Sequence, residues 1–101
     1  SVLQLPGPFD DRFTLSGMSL RAHGLSGVLT VTTDVSELID LEVVAGFYDA
    51  HGGLLGTETF ARHGENFADV NERVPFTVSA ASAYRPQVAS VAFGVPVLVK
   101  E

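Results

Sequence analysis

Leu41-Glu42-Val43-Val44-Ala45-Gly46-Phe47-Tyr48-Asp49, followed by Ala50-His51-Gly52-Gly53, is the stretch that decides the fold. Side chains on a β-strand alternate between its two faces. Leu41, Val43, Ala45 and Phe47 therefore share one side, and Glu42, Val44, Gly46 and Tyr48 share the other. The paired glycines that follow accept the positive φ of tight hairpin turns. The chain then returns through residues 54–62, so this region predicts a β-hairpin with one buried face.

Working outward, the same period of two recurs. Residues 25–33 alternate through Leu25, Gly27, Leu29, Val31 and Thr33. In 13–22, Phe13 and Leu15 share one parity, and Met18, Leu20 and Ala22 the other. The change falls at Ser16-Gly17, where a glycine marks a bulge. Towards the C-terminus, 73–80 carries Val74, Phe76 and Val78 inward, and 88–99 places Val91, Phe93, Val95, Val97 and Val99 on one face. Pro96 lacks an N–H, which puts that last strand at an edge or gives it a bulge. The edge reading has Pro96 guarding the strand's free side. Residues 34–40 read as a polar connection, with one helical turn over 36–39. No long helical period appears anywhere. The expected fold is all-β, an antiparallel immunoglobulin-like β-sandwich of about seven strands in residues 13–101, preceded by an extended arm in 1–12 with a short edge strand. Leu29, Val31, Val43, Phe47, Val74, Phe76, Val91 and Phe93 are its expected core.

Composition narrows the function classes. The chain has 101 residues, 46% of them apolar and 18% charged, which suits one globular domain. It contains no cysteine, so disulfides, thiolate metal sites and cysteine nucleophiles are excluded. The net charge is −6, and Arg12, Arg21, Arg62, Arg73, Arg85 and Lys100 are scattered. Such a surface repels phosphate backbones, so no nucleic-acid partner is expected. The longest apolar run, 88–99, falls well short of the ~20 residues that span a bilayer as a helix, so no membrane insertion by this segment is expected.

The order of pieces from Gly27 to Ser79 resembles the FxLYD family, an immunoglobulin-like module of bacterial and archaeal envelope proteins. The matching pieces are the strand ending Ala45-Gly46-Phe47-Tyr48-Asp49, the turn at Gly52-Gly53, Leu54-Leu55-Gly56-Thr57, and the later strand Val74-Pro75-Phe76-Thr77-Val78. Ala45 and Phe47 stand where the family carries Phe and Leu, and Asn71-Glu72-Arg73 where it carries Gly-Glu. The resemblance implies an accessory or binding module, periplasmic, cell-surface or secreted rather than cytoplasmic, with no catalytic residues to carry over.

The residues that could do chemistry are sparse. His23, His51 and His63 each precede a glycine and form no i, i+2 or i, i+4 pair. That spacing fits solvated turns better than a metal site. Asp34, Glu37 and Asp40 share one loop, and Glu65, Asp69 and Glu72 another. Carboxylate-rich loops suit calcium, but neither has the EF-hand spacing. There is no G-x-S-x-G elbow and no phosphate-binding glycine loop. The expectation is therefore a non-enzyme without metal or cofactor, whose partner is another protein or another domain of the same polypeptide. Val28, Val44, Tyr48 and Leu54 point away from the inferred core and form the candidate contact surface. The competing reading covers them with the N-terminal arm or a loop. Three further readings stand beside this one. They are a protease-inhibitor-like or chaperone-like peptide binder using loops or an edge strand, a weak homodimer, and a small metal-dependent hydrolase built on the acidic loops.

Overall fold

The computed structural model describes residues 1–32, 38–63 and 73–100, apart from the side chains of Leu38 and Lys100. Its strands are β1 (Val2–Gln4), β2 (Phe13–Arg21), β3 (Gly24–Val31), β4 (Leu38–Tyr48), β5 (Leu54–His63), β6 (Arg73–Ser79) and β7 (Ser90–Lys100). They form two sheets, one ordered β1-β7-β4-β5 and the other β2-β3-β6. All pairs are antiparallel except β1 on β7. The chain crosses between sheets after β1, β3, β5 and β6, so that β6 returns beside β3 and β7 returns beside β4. This is an all-β sandwich of seven strands.

The alternation read from sequence builds the core. Leu41, Val43, Ala45 and Phe47 of β4 are fully buried, as are Leu25, Leu29 and Val31 of β3. Val74, Phe76 and Val78 of β6 complete one inner layer, and Val91, Phe93 and Val95 of β7 the other. All eight expected core residues belong to this one cluster. Phe60 of β5 meets Phe76 of β6 across the layers at 6.0 Å between ring centroids. No polar or charged side chain is buried among the described residues.

Of the four register shifts in the described ladders, two bear on the parity read from sequence. Between Ser16 and Ser19 the register of β2 on β3 shifts by one residue, with Gly17 at φ 61°. A residue with a Cβ is strained there, which is why glycine stands at the bulge. The second bulge corrects the expected parity of β7. Val44 pairs with Gly94 but Glu42 with Val97, so the ladder steps over Val95 and Pro96. The bulge flips the faces beyond it. Leu98 is buried, Val97 is half-buried and Val99 is 44% exposed, where Val97 and Val99 were expected inside. Pro96 stands at the bulge, one of the two positions expected for it. On its other side β7 is flanked by β1 at Val91–Phe93 only, so among the described residues no strand pairs there beyond Phe93, and Pro96 lies in that unflanked half. A further correction concerns Leu38–Asp40, which extend β4 instead of forming a polar connection or helical turn; residues 33–37 lie outside the described ones.

The arm is ordered by backbone bonds. Leu5 donates its N–H to Phe93 O at 2.8 Å, and Val91 donates to Ser1 O at 3.1 Å. Asp10 Oδ2 accepts from Gly7 N at 2.9 Å and fixes the bend that follows. The β4–β5 hairpin turn is held by Asp49, whose Oδ1 accepts from His51 N at 2.8 Å and Gly53 N at 2.9 Å. Gly52 sits at φ 81° in that turn.

Candidate binding groove on the four-stranded sheet

The two sheets present unlike faces to solvent. The outer face of β2-β3-β6 carries Thr14, Ser16, Ser26, Thr30, Thr77 and Ser79, with Ser26 and Thr77 hydroxyls 3.2 Å apart. That is the apolar-in, polar-out alternation of an antiparallel sheet with one wet side. The other sheet departs from it. Its outward positions include Leu3 on β1, Ala92, Gly94 and Val97 on β7, and Val44, Gly46 and Tyr48 on β4. Leu3, Leu5, Leu54 and Val99 are 58%, 47%, 61% and 44% exposed, and all belong to this sheet or its margin.

A groove of about 560 Å³ runs over this face, within the ~300–1,000 Å³ range of ligand clefts. Its floor is a block of registered pairs, Gly46 opposite Ala92 and Val44 opposite Gly94. Tyr48 and Leu54 wall one side, and the arm residues Leu5 to Pro8 wall the other. Pro96, pushed out at the bulge, closes one end. The floor is low because two of its residues have no side chain. Neither Gly46 nor Gly94 has positive φ. A Cβ at Gly46 would stand 3.4 Å from Tyr48 Oη, and one at Gly94 4.0 Å from Leu5 Cβ. Neither the backbone nor crowding demands glycine at these two positions.

The rim is acidic. Glu42 lies two residues before Val44 on the same face, paired with Ala61 and Val97. Asp49 follows Tyr48, and Asp10 holds the bend at Gly7. Among the described residues, the outward positions of the four strands carry no lysine or arginine. His63 is the one titratable base there, and its Nδ1 lies 2.5 Å from Asp40 Oδ1.

Three of the four residues proposed from sequence as a contact surface, Val44, Tyr48 and Leu54, line this groove. Val28 does not. It sits on β3 opposite Ser16 and Pro75, on the outer face of the other sheet. The arm, offered as the alternative cover for these residues, stands beside them as a wall and leaves the floor open. What sequence reasoning missed is the floor and the arm's place in it. The signal was present in Gly46, Ala92 and Gly94, small residues on outward parity in strands otherwise rich in valine.

A second polar arrangement lies under the edge of β5. Tyr84, in the β6–β7 crossover before the 3-10 turn Arg85–Gln87, donates its hydroxyl to Glu58 Oε2 at 2.5 Å. Its ring lies 6.3 Å from that of Phe47. Burial, and next the bond to the Glu58 carboxylate, push the Tyr84 phenol above its ordinary pKa. Arg85 fixes the same crossover by donating to Ala80 O at 2.7 and 3.1 Å. These contacts tie the crossover to the sheet.

The histidines stand apart in the described structure: His23 in the β2–β3 turn, His51 in the β4–β5 turn, His63 at the end of β5. Among the described residues no three His, Asp or Glu side chains are grouped to hold a metal ion. Most of the two acidic loops, including Asp34, Glu37, Glu65, Asp69 and Glu72, lies outside the described residues. Among the described residues no helix is long and apolar enough to cross a membrane. Compared with protein families, curated proteins and solved structures, the chain finds no match.

Proposed function

We propose that this chain is a non-catalytic binding module that holds a segment of another protein, or of another domain of its own polypeptide, in the groove on its four-stranded sheet. The observation that carries this reading is a low apolar floor kept open on the solvent side of an antiparallel sheet, where polar residues are the rule. The FxLYD-like order of motifs supports placing such a module, with an immunoglobulin-like fold, in an extracytoplasmic bacterial setting.

Binding by strand addition is less well supported, because the edge strands β1, β2, β5 and β6 are each blunted, and where β7 runs on past β1 the missing N–H of Pro96 interrupts its donors. β1 is three residues long, β2 is bulged at Gly17, and β6 carries the exposed Pro75. β5 turns Glu58 inward beneath its edge. These are devices by which sheets avoid edge pairing. A hydrolytic site on the acidic loops has only Asp40 among the described residues, and His63 already holds that carboxylate.

The test is selection of a random peptide display library on the parent domain and on Gly46→Val, which fills the floor. Sequences enriched on the parent and lost on the variant are expected. Equal enrichment on both, or none on the parent, overturns the reading.

A further inference from the structure

We infer that the groove takes one extended, apolar peptide segment flanked by lysine or arginine; this rests on the binding role proposed above and adds the partner's chemistry. Three observations lead there. First, the floor lies on β4 and β7, between Tyr48 with Leu54 and Thr57 of β5 on one side and the arm on the other. Neighbouring strands lie ~4.8 Å apart, so the trough is about 10 Å wide. That suits one extended chain, whereas a helix with its side chains, ~10–12 Å across, would fill it from wall to wall.

Second, the lining selects apolar side chains and provides few polar handles. Val44, Ala92, Leu54, Pro6 and Pro96 offer no hydrogen bond from their side chains, and the hydroxyls of Tyr48 and Thr57 are the exceptions. An extended chain rich in valine, leucine or proline buries its side chains there and turns its backbone to those two hydroxyls or to water. Proline suits the Tyr48 wall, since aromatic-lined grooves favour a chain already held extended.

Third, the rim fixes the charge. Glu42 shares the outward face with Val44, Asp10 accepts from Gly7 N in the arm wall and Asp49 follows Tyr48 into the turn, and among the described residues no lysine or arginine faces outward from the four strands. The whole chain carries −6. Complementary charge on a partner's flanks steers it in and rejects acidic competitors. The same rim argues against a second copy of this chain as occupant, because face-to-face pairing sets acids against acids.

The experiment uses three synthetic peptides with one valine-proline-leucine centre, ended by two lysines, two serines or two glutamates on each side. Binding to the intact chain is followed by calorimetry and by amide chemical shifts of β4 and β7. The lysine-ended peptide is expected to bind about five- to tenfold tighter than the serine-ended one, and the glutamate-ended one not at all. Raising salt from about 50 to 500 mM should weaken the lysine-ended peptide about fivefold and leave the serine-ended one nearly unchanged. Glu42→Lys should cost the lysine-ended peptide about tenfold. Gly46→Val should abolish binding while keeping a folded spectrum, its γ-methyls displacing Tyr48 and Leu54 into the groove. If all three peptides bind alike and Gly46→Val still abolishes them, the groove role survives and the cationic partner is refuted. If none binds, or Gly46→Val binds like the parent, both fail. If the parent sediments as a dimer that Gly46→Val dissolves, the face joins two copies of this chain and the inference is overturned.

Discussion

Replacing Gly56 with alanine should destabilise the domain through one side chain, Tyr84. A Cβ at Gly56 would stand 2.6 Å from Tyr84 Cε2 and 2.8 Å from its Cζ and Oη. Real atoms do not approach so closely, so the ring must leave its seat. It then loses the 2.5 Å bond to Glu58 and the 6.3 Å contact with Phe47. A hydrogen bond to a charged group contributes about 1.5–3 kcal/mol, and this one is partly solvated, so the lower end applies. The tilted aromatic pair adds about 0.5–1 kcal/mol. Alanine recovers about 0.5–1 kcal/mol because it is the better strand residue. The net loss is about 1–2 kcal/mol, or roughly 4–16 °C in melting temperature for a domain of this size. The diagnostic measurement is a double-mutant cycle by urea denaturation. With Tyr84 truncated to alanine, the seat is empty and Gly56→Ala should become neutral or mildly stabilising. The coupling should then be at least about 1 kcal/mol. An equal cost of Gly56→Ala in both backgrounds would falsify the argument, because the glycine would then serve something other than Tyr84.

Other expectations follow from the same packing. Phe47→Ala and Phe76→Ala should each cost about 3–5 kcal/mol in denaturant melts, since both rings are buried at the centre of the core; losses below about 1 kcal/mol would contradict the assigned parity. Alkaline stability should depend on Tyr84. Its pKa is raised in the fold, so the unfolded chain loses the phenolic proton first, and stability is full below the ordinary tyrosine pKa of about 10 and falls as pH rises above it. Melts between about pH 8 and 11 should show this fall in the parent and a smaller one in Tyr84→Phe. Asp49→Ala removes the acceptor of two turn bonds and should cost about 1–2 kcal/mol by thermal melting, with no loss if the turn holds through Gly52 alone. Gly46→Ala and Gly94→Ala should each raise stability by about 0.4–1 kcal/mol, and a measured loss would mean the backbone needs these glycines after all.

Much of the fold was legible because one face of β3, β4, β6 and most of β7 is buried. Leu41 to Phe47 alternate without interruption, and burial follows that alternation residue by residue. The β2 bulge was legible too, since Gly17 stands where the parity of the apolar residues changes. Beyond Pro96 the reading slipped. An unbroken run of valines hides a one-residue shift, so only the ladder shows that Leu98, and not Val97 or Val99, turns inward. β1 was expected as a short edge strand over residues 2–5 and is found at Val2–Gln4, but its partner was not legible, because all three of its side chains are exposed and its backbone pairs with β7. The groove was half legible for a related reason. Parity says that Val28 and Val44 both point outward, but not that they belong to different sheets. The Tyr84–Glu58 bond joins residues 26 apart and arises only once the crossover folds under β5.

The glycines of the groove separate a functional surface from an incidental one. An outward apolar residue on a sheet needs no special account when it stands singly. Here the sheet gives up side chains at the two positions that set the depth of the floor, although the backbone at Gly46 and Gly94 suits any residue and the space above each admits a Cβ. Glycine in a strand loses more conformational freedom on folding than alanine, by about 0.5–1 kcal/mol. Two such positions therefore sacrifice about 1–2 kcal/mol, a sizeable share of the stability of a small domain. Selection for stability alone would fill them with β-branched residues, as it has at the buried positions of the same strands, Val43 and Val95. Contrast Gly56, where Tyr84 occupies the missing side chain's place and the fold itself is served. At Gly46 a Cβ would meet Tyr48 and Leu54, and at Gly94 Leu5, only at ordinary contact distance, so no neighbour takes the place of the missing side chain. A domain that keeps one apolar trough open, at a cost in stability, is shaped for an occupant that enters over the face.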